Sequence, residues 1–285
     1  MINGTLKSLI LDQTIKPDEI IVINGGGKNN CQESLLKWKK IFIDLLIFNV
    51  KNINLPVSRN IGLSKCSGDI ILLTDDDAIP NSNWVENIKK YHKEFPNAGL
   101  IGGEVINESG GDFLSKIADV STFPRFNSIK KVRTLPGVNS SYKKQVISEV
   151  GKYDESLFRG EDVDYNWRVL KNGWDIIYVP SIKVRHIHRD TWFKLFYQHY
   201  MYGRAYYLLR RKWIKMYSIY PHKINSFKNM FKYIFSWTLI PFLDAYSKSK
   251  KFKGSNFFVI SIIFLINIIN RIGIFIQKNY YEQKK

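Results

Sequence analysis

Two acidic clusters are the residues of this chain best suited to chemistry. The first is Leu72-Leu73-Thr74-Asp75-Asp76-Asp77-Ala78-Ile79-Pro80, where an apolar run delivers three adjacent carboxylates. Neighbouring carboxylates repel, so the cluster is costly unless a cation neutralises it. Mg2+ and Mn2+ accept hard oxygen ligands of this kind and usually share them with substrate phosphates. A solvated acidic turn is the competing reading of the triplet taken alone. The second cluster is Phe158-Arg159-Gly160-Glu161-Asp162-Val163-Asp164-Tyr165-Asn166-Trp167-Arg168. Carboxylates at a helix start are favoured by the helix dipole, so ordinary capping accounts for them. A carboxylate in the same place is also able to take a proton from a hydroxyl as a general base.

The elements that must position these groups alternate in type up to about residue 188. Residues 19–23 and 45–50 read as strands, and 56–66 as a short helix with Pro56 in its first turn. Residues 69–74 form a strand that runs into the aspartates. Residues 83–95 have helical spacing, with Trp84, Ile88 and Tyr91 on one face. Residues 98–105 are strand-like, and 107–135 read as irregular, a mobile loop. Residues 143–150 and 162–171 read as helices, and 176–179 and 183–186 as two strands. Strands alternating with helices predict an α/β sheet that is largely parallel. In such sheets ligands bind beyond the carboxyl ends of the strands.

Charge divides the chain in the same place. The net charge is +18, yet residues 1–182 hold 23 Lys/Arg and 22 Asp/Glu, whereas residues 183–285 hold 20 and 3. The basic excess sits among aromatic and long apolar runs, a mixture suited to an anionic membrane surface. A nucleic-acid groove is the rival, but no recognised nucleic-acid motif accompanies the charge. Residues 192–217, with Tyr197, Tyr200, Tyr206, Tyr207, Arg210, Arg211 and Lys212, suit a helix lying in a membrane interface. Residues 233–242 are apolar but short, and Pro241 and Asp244 break the run, which favours a re-entrant or interfacial segment over a spanning one. Residues 257–276 have the length to span a bilayer, although Asn267, Asn270 and Arg271 also fit a buried core helix. The two cysteines, Cys31 and Cys66, suggest neither a disulfide framework nor a zinc site. Met1 to Leu11 lacks the basic start and apolar run of a signal peptide.

Together, in this order and at this distance, the acidic clusters resemble those of family 2 glycosyltransferases, and the resemblance runs from about Leu6 to His186. Ser8-Leu9-Ile10-Leu11-Asp12-Gln13 with Pro17-Asp18-Glu19-Ile20-Ile21-Val22-Ile23 is similar to the family's first helix and second strand. Ser58-Arg59-Asn60-Ile61-Gly62 resembles its "ARNxG" element, and Asp75-Asp76-Asp77 its D-x-D segment. Gly137-Val138-Asn139 opens the acceptor-side strand, and Val150-Gly151-Lys152-Tyr153-Asp154-Glu155 resembles "VGGFDE". Gly160-Glu161-Asp162-Val163-Asp164 with Arg168 matches "GEDxD...R", and Tyr178-Val179-Pro180 with Val184-Arg185-His186 resembles "YxP...VxH".

The resemblance implies a GT-A type nucleotide-diphospho-sugar transferase, with a Rossmann-like mixed sheet flanked by helices. It implies a catalytic domain over residues 1–190 and a helical, membrane-associated region over 191–285, with the catalytic domain on the cytoplasmic side. Asp75 and Asp76 would face the donor nucleoside, Asp77 would bind a divalent metal (Mn2+ or Mg2+) on the diphosphate, and Arg59 would lie near the phosphates. Asp162 would be the general base, with Glu161 beside it in acceptor binding. His186 would assist the metal or the product diphosphate, and His188, on the same strand face, is the weaker candidate. The donor would be a UDP-, GDP- or dTDP-sugar, the acceptor a saccharide or a lipid-linked one, and transfer inverting. No nucleic-acid partner is implied.

Two departures qualify the match. The family's opening strand, of the "VSVIIPTYNR" kind, does not precede the first helix, since Met1-Ile2-Asn3-Gly4 already stands at the entry to that helix. Its absence predicts a gap in the sheet with unpaired backbone groups on either side, weak donor binding and poor folding. The second strand, which in the family ends in "VDDGS", here ends in Ile23-Asn24-Gly25-Gly26-Gly27, placing Asn24 where a carboxylate would grip the donor base. The alternative expectation is a catalytically degenerate member that acts only in membrane or donor binding.

Overall fold

The computed structural model describes residues 2–26, 31–51, 54–108, 111–214, 226–252 and 257–283. In chain order the elements are α1 (Ile2–Ile10), β1 (Ile20–Asn24), α2 (Cys31–Ile41), β2 (Leu45–Asn49), α3 (Leu55–Lys65), β3 (Ile70–Leu73), β4 (Ala78–Pro80), α4 (Trp84–Glu94) and β5 (Ala98–Asn107). There follow α5 (Phe113–Thr122), β6 (Lys130–Lys131), a 3-10 turn (Gly137–Asn139), β7 (Ser140–Lys143), α6 (Lys144–Val150), α7 (Glu161–Lys171) and β8 (Asp175–His186). Four helices close the chain: α8 (Trp192–Lys212), α9 (Phe227–Trp237), α10 (Leu239–Ser249) and α11 (Phe257–Gln283). They make two compact units, one of Met1–Ser109 with Phe123–Ile187, the other of Gly110–Thr122 with His188–Lys285.

The first unit is built on two sheets. β1 and β2 pair in parallel, Ile20 opposite Leu45 and Asn24 opposite Asn49. The larger sheet has the order β3-β7-β5-β8-β4, with β6 on another stretch of β8. Within it β5–β8 is parallel, whereas β3–β7, β5–β7, β4–β8 and β6–β8 are antiparallel. The sheet is therefore mixed, not largely parallel. Every antiparallel pairing involves β4, β6 or β7, and these strands are 3, 2 and 4 residues long. Such short strands carry too little alternation to be read from sequence. Residues 176–179 and 183–186, read as two strands, belong to β8 alone. Its register against β5 slips at Gly103/Glu104, where the partner moves from Val179 to Lys183. A Cβ on Gly103 would lie 2.2 Å from the carbonyl oxygens of both Val179 and Ile182, so only a bare backbone fits beside this bulge.

β1 pairs with β2 alone and β3 with β7 alone, so among the described residues no backbone ladder joins β1 to β3. A side chain ties their starts instead: the Glu19 carboxylate accepts from Ser67 N (2.7 Å), Ser67 Oγ (3.0 Å) and Gly68 N (3.1 Å). Burial would raise the Glu19 pKa, but these hydrogen bonds outweigh it and hold the carboxyl below its usual range. One core lies under α1, α2 and α4, where Leu6, Leu35, Leu45, Trp84, Ile88 and Ile101 are buried. Trp84 and Ile88 share one face of α4, as the spacing predicts, with Tyr91 partly buried against the same core. A second core gathers Tyr142, Tyr153 and Tyr165 with Leu100 and Val169.

The second unit is helical. Residues 107–135, read as an irregular loop, contain α5 and β6, and α5 buries Ile117, Ala118 and Val120 with Leu195, Ala245, Val259, Ile263 and Ile266. The apolar positions of α5 are only a few residues from Gly110 and Gly111, which mask a helical pattern this short. α8 is capped by Thr191, whose Oγ1 accepts from Lys194 N at 3.3 Å; the end of the expected interfacial stretch, residues 215–217, lies outside the described residues. The short apolar run at 233–242 is divided at Thr238, between α9 and α10. α8 and α11 cross at glycines on both sides: a Cβ on Gly203 would lie 1.8 Å from the Asn270 carbonyl oxygen, and one on Gly273 2.1 Å from that of Tyr200. We expect Gly273→Ala to lower unfolding free energy by roughly 1–3 kcal/mol, because one methyl group must push two helix backbones apart. Gly62→Ala, in α3 with Ile23 at an ordinary 3.6 Å, should be neutral or stabilising by about 0.4–1 kcal/mol. Denaturant titrations of both variants check the contrast.

Candidate active site

The aspartate triplet sits in the connection from β3 to β4. Thr5 of α1 anchors it from below, its hydroxyl lying 3.0 Å from the Asp76 carbonyl oxygen and 2.7 Å from that of Ala78. The β4–β8 register sets Ala78 opposite His186, and this brings the imidazole beside the triplet. His186 Nε2 is 3.2 Å from Asp77 Oδ1. One ligand atom each from Asp75, Asp77 and His186 lie within 4.8 Å of one another. Two carboxylates and an imidazole at that separation fit a single divalent cation of the Mn2+ or Mg2+ kind. Phe123 packs edge-on against the His186 ring, with centroids 5.7 Å apart, and holds its orientation. Asp76 is exposed and outside this group.

Arg59 joins the two acidic clusters. The sequence places it on α3, whose start is set by Asn54, the side chain accepting from Val57 N at 3.0 Å, and by Pro56 in the first turn. Its guanidinium is buried, with Nη1 2.6 Å from Glu161 Oε1 and Nη2 3.9 Å from Asp75 Oδ1. The Tyr153 ring lies 5.6 Å from Cζ. Burial alone would depress the guanidinium pKa, but Tyr153, Glu161, Asp162 and Asp75 more than offset it, so Arg59 stays cationic. Burial pushes the Asp75 carboxyl above its usual range against the pull of Arg59, with Asp77 acting in the same upward direction. Glu161 is raised first by burial and then by Asp162, with Arg59 opposing.

Glu161 and Asp162 open α7 directly after Gly160, which caps the helix at φ +76°, a conformation glycine adopts without strain. Asp162 Oδ2 accepts from Gly137 N at 3.2 Å and Oδ1 from Val163 N at 2.8 Å. Asp164, fully buried, accepts from Arg168 Nε at 3.1 Å, while Arg168 donates to the Val150 and Lys152 carbonyls at 2.7 and 2.8 Å. The same loop is gripped by Asn60, which exchanges hydrogen bonds with the Tyr153 backbone at 2.8 and 3.0 Å. Asn139, buried, accepts from Trp84 Nε1 at 2.9 Å and donates to the Glu104 and Ile182 carbonyls, fixing the Gly137–Asn139 turn.

The structure therefore brings together Arg59, Asp75, Glu161 and Asp162 on one side and Asp75, Asp77 and His186 on the other. Asn24 stands apart: its Nδ2 donates to Asn49 Oδ1 at 2.7 Å and its Oδ1 accepts from Gly26 N at 3.2 Å. His188 belongs to the helical unit, Nε2 3.0 Å from Asp119 Oδ1, and both are buried there. Three residues with defined work in the site went unassigned by sequence reasoning: Asn60, Gly137 and Asn139. Each stands inside a motif quoted above, but what it holds is set by chain segments far away.

A family model for glycosyl transferase family 2 matches residues 1–151, more than half of the chain. The chain belongs to glycosyl transferase family 2. Among relatives of this family 2 chain, poly-beta-1,6-N-acetyl-D-glucosamine synthase of Staphylococcus aureus (strain COL) is 27% identical over 190 residues, covering 63% of this chain and 45% of the relative. Pre-mycofactocin glycosyltransferase of Mycobacterium tuberculosis (strain CDC 1551 / Oshkosh) is 27% identical over 145 residues, covering 46% of this chain and 30% of the relative. The chain thus spans less than half the length of these curated relatives. A solved structure of the mannosyltransferase PcManGT from Pyrobaculum calidifontis, in complex with GDP-Man and Mn2+, superposes with a TM-score of 0.62 at 12% identity, covering 95% of this chain and 83% of that one. At that identity the likeness establishes the fold, a GT-A type mixed sheet flanked by helices.

The packing of this family 2 site around Arg59 is tight enough to test by one methyl group. A Cβ on Gly137 would lie 2.3 Å from Arg59 Nη2 and 2.8 Å from Cζ. Gly137→Ala should therefore drive the guanidinium off Glu161 and lower unfolding free energy by roughly 1–3 kcal/mol. Thermal melts and a crystal structure of the variant check the loss of stability and the displaced Arg59.

Proposed function

We propose that the chain transfers a sugar, with inversion, from a UDP-, GDP- or dTDP-sugar to a saccharide or lipid-linked acceptor. The observation that carries this reading is the single guanidinium of Arg59 lying between Asp75, a member of the metal-capable group, and Glu161, beside Asp162. The two halves of a displacement, a diphosphate to be neutralised and a hydroxyl to be deprotonated, then meet around one buried charge.

In this reading Asp75, Asp77 and His186 would hold the divalent cation, and Asp75 and Asp76 would face the nucleoside. The cation, when bound, supplies Lewis-acid stabilisation to the leaving diphosphate. Asp162 takes the proton from the acceptor hydroxyl as its oxygen forms the new bond to the anomeric carbon, and the nucleoside diphosphate departs from the opposite face. Glu161 positions the acceptor, and Arg59 pairs with Glu161 and opposes the rise that burial gives its pKa. Asn24, lacking a carboxylate, contributes at most hydrogen bonds to the donor. The name of the poly-beta-1,6-N-acetyl-D-glucosamine synthase supports a saccharide acceptor, and the Mn2+ and GDP-Man of the mannosyltransferase support a metal-assisted nucleotide-sugar donor. The basic excess beyond residue 183 and the long apolar α11 support association with an anionic membrane surface, the catalytic unit on the cytoplasmic side.

The test is a screen of the purified full chain against nucleotide-sugars with and without Mn2+ or Mg2+, read as release of nucleoside diphosphate. Release with no donor at any metal concentration would favour the degenerate, binding-only member. Asp77→Asn should abolish the divalent-cation dependence of donor binding measured by calorimetry; unchanged Mn2+-dependent binding would remove Asp77 from the metal site. Asp162→Asn should leave donor affinity intact and lower turnover by roughly 10²-fold or more. Near-normal turnover in a folded Asp162→Asn variant would assign the proton to another group.

A further inference from the structure

The helical unit contains one described helix long and apolar enough to cross a membrane, α11. Four of its polar residues, Asn267, Asn270, Arg271 and Gln277, are engaged from the side. Asn267 Nδ2 donates to the Pro241 carbonyl (3.1 Å) and to Asp244 Oδ2 (3.0 Å) of α10, and Asn270 Nδ2 to the His199 carbonyl (3.2 Å) of α8. Arg271, buried near the middle of α11, donates to the Ser236 carbonyl of α9 and to the Asn267 carbonyl. Gln277 accepts from Arg204 Nε of α8 at 2.8 Å.

These contacts advance in the same direction along both long helices: His199 meets Asn270, Arg204 meets Gln277, and Arg211 lies over Tyr281 at 3.9 Å. α8 therefore runs parallel to α11, pressed onto it at Gly203 and Gly273. Of the 21 residues of α8, Lys194, Arg204, Arg210, Arg211 and Lys212 are cationic. A membrane crossing by residues 257–276 of α11 would carry Lys194, Arg271 and Asp244 with its partner Lys248 into hydrocarbon that cannot hydrate them, with Arg204 at its edge and Arg210, Arg211 and Lys212 beyond it. α9 and α10, at 11 residues each, are about 16 Å long and cannot cross a core of roughly 30 Å. Yet all three helices keep large apolar side chains exposed at helical spacing, among them Phe231 and Phe235 on α9, Leu239 and Phe242 on α10, and Ile272 and Phe275 on α11. The unit is apolar enough to enter a bilayer and too charged along its longest contact to cross one.

We propose that this unit is monotopic: it seats α9–α11 in one leaflet of an anionic membrane, with α11 lying in the plane and both its ends on the same side. This rests on the membrane association proposed above. The occupant is lipid, because the region beyond residue 183 carries 20 Lys/Arg against 3 Asp/Glu, a charge that complements anionic headgroups and opposes pairing with a second copy of itself.

The experiment uses the full chain produced in cells, with Lys251→Cys or Gln283→Cys marking either end of α11 over the background labelling of Cys31 and Cys66. Spheroplasts and inverted membrane vesicles are treated with a membrane-impermeant maleimide. Both marks reacting in the same preparation and both protected in the other is the expected result. Marks that react in opposite preparations show a crossing and overturn the inference while leaving membrane association intact. In parallel, Phe231→Asp and Phe242→Asp, both at exposed positions, should each reduce sedimentation with phosphatidylglycerol-rich vesicles about tenfold or more without lowering the melting temperature. Undiminished binding by both variants would overturn the assigned face. A parent chain that binds no vesicles, or that buries the face by dimerising, would sink the membrane reading itself.

Discussion

A buried positive charge organises the catalytic unit. Arg59 is enclosed with Glu161 at 2.6 Å and Asp75 at 3.9 Å, and Gly137 leaves room for its guanidinium only because it has no side chain. Removing one partner of such a pair typically costs about 3–5 kcal/mol, since the other charge is left without solvent or counter-charge. The surrounding architecture serves to keep the pair closed. Asn54 and Pro56 set where α3 begins and hence where Arg59 points, and Gly160 starts α7 so that Glu161 comes first. Asn60 and Arg168 both hold the Val150–Tyr153 backbone, which carries the Tyr153 ring against the guanidinium.

The second constraint is the sheet's mixed direction. A purely parallel sheet would have put every connection through a long crossover. Here β4, only three residues long, pairs antiparallel with the end of β8 and so lays His186 beside Asp77. The bulge at Gly103 shifts the β5–β8 register from Val179 to Lys183, just ahead of the stretch of β8 that ends in His186. The two-stranded β1–β2 sheet is not laddered to β3, and the Glu19 carboxylate does by side-chain hydrogen bonds what a ladder would do at that end.

The helical unit shows what composition alone leaves out. Length and hydropathy single out α11, but its side chains were read without their neighbours. Asn267, Asn270 and Arg271 look like flaws in a spanning segment until Asp244, His199 and Ser236 are seen to receive them. Polar groups with partners are the signature of a packed face, and here that face is shared by α8, α9 and α10.

What the sequence determined by itself was whatever repeats locally. The period of Trp84 and Ile88, the Pro56 start of α3, the strand leading to Asp75 and the order of the motifs were all legible, and with them the family and the GT-A fold. The short strands β4, β6 and β7 were not, because two to four residues hold no period, nor was α5 beside its flanking glycines. Tertiary structure alone decided that Arg59 pairs with Glu161 across 102 residues of chain, that Gly137 must be bare beneath it, and that His188 turns to Asp119 while His186 faces Asp77. Those outcomes depend on strand register and on which helix end meets which loop. They are fixed by long-range packing, where burial makes a misplaced charge too costly to tolerate, and no local pattern encodes them.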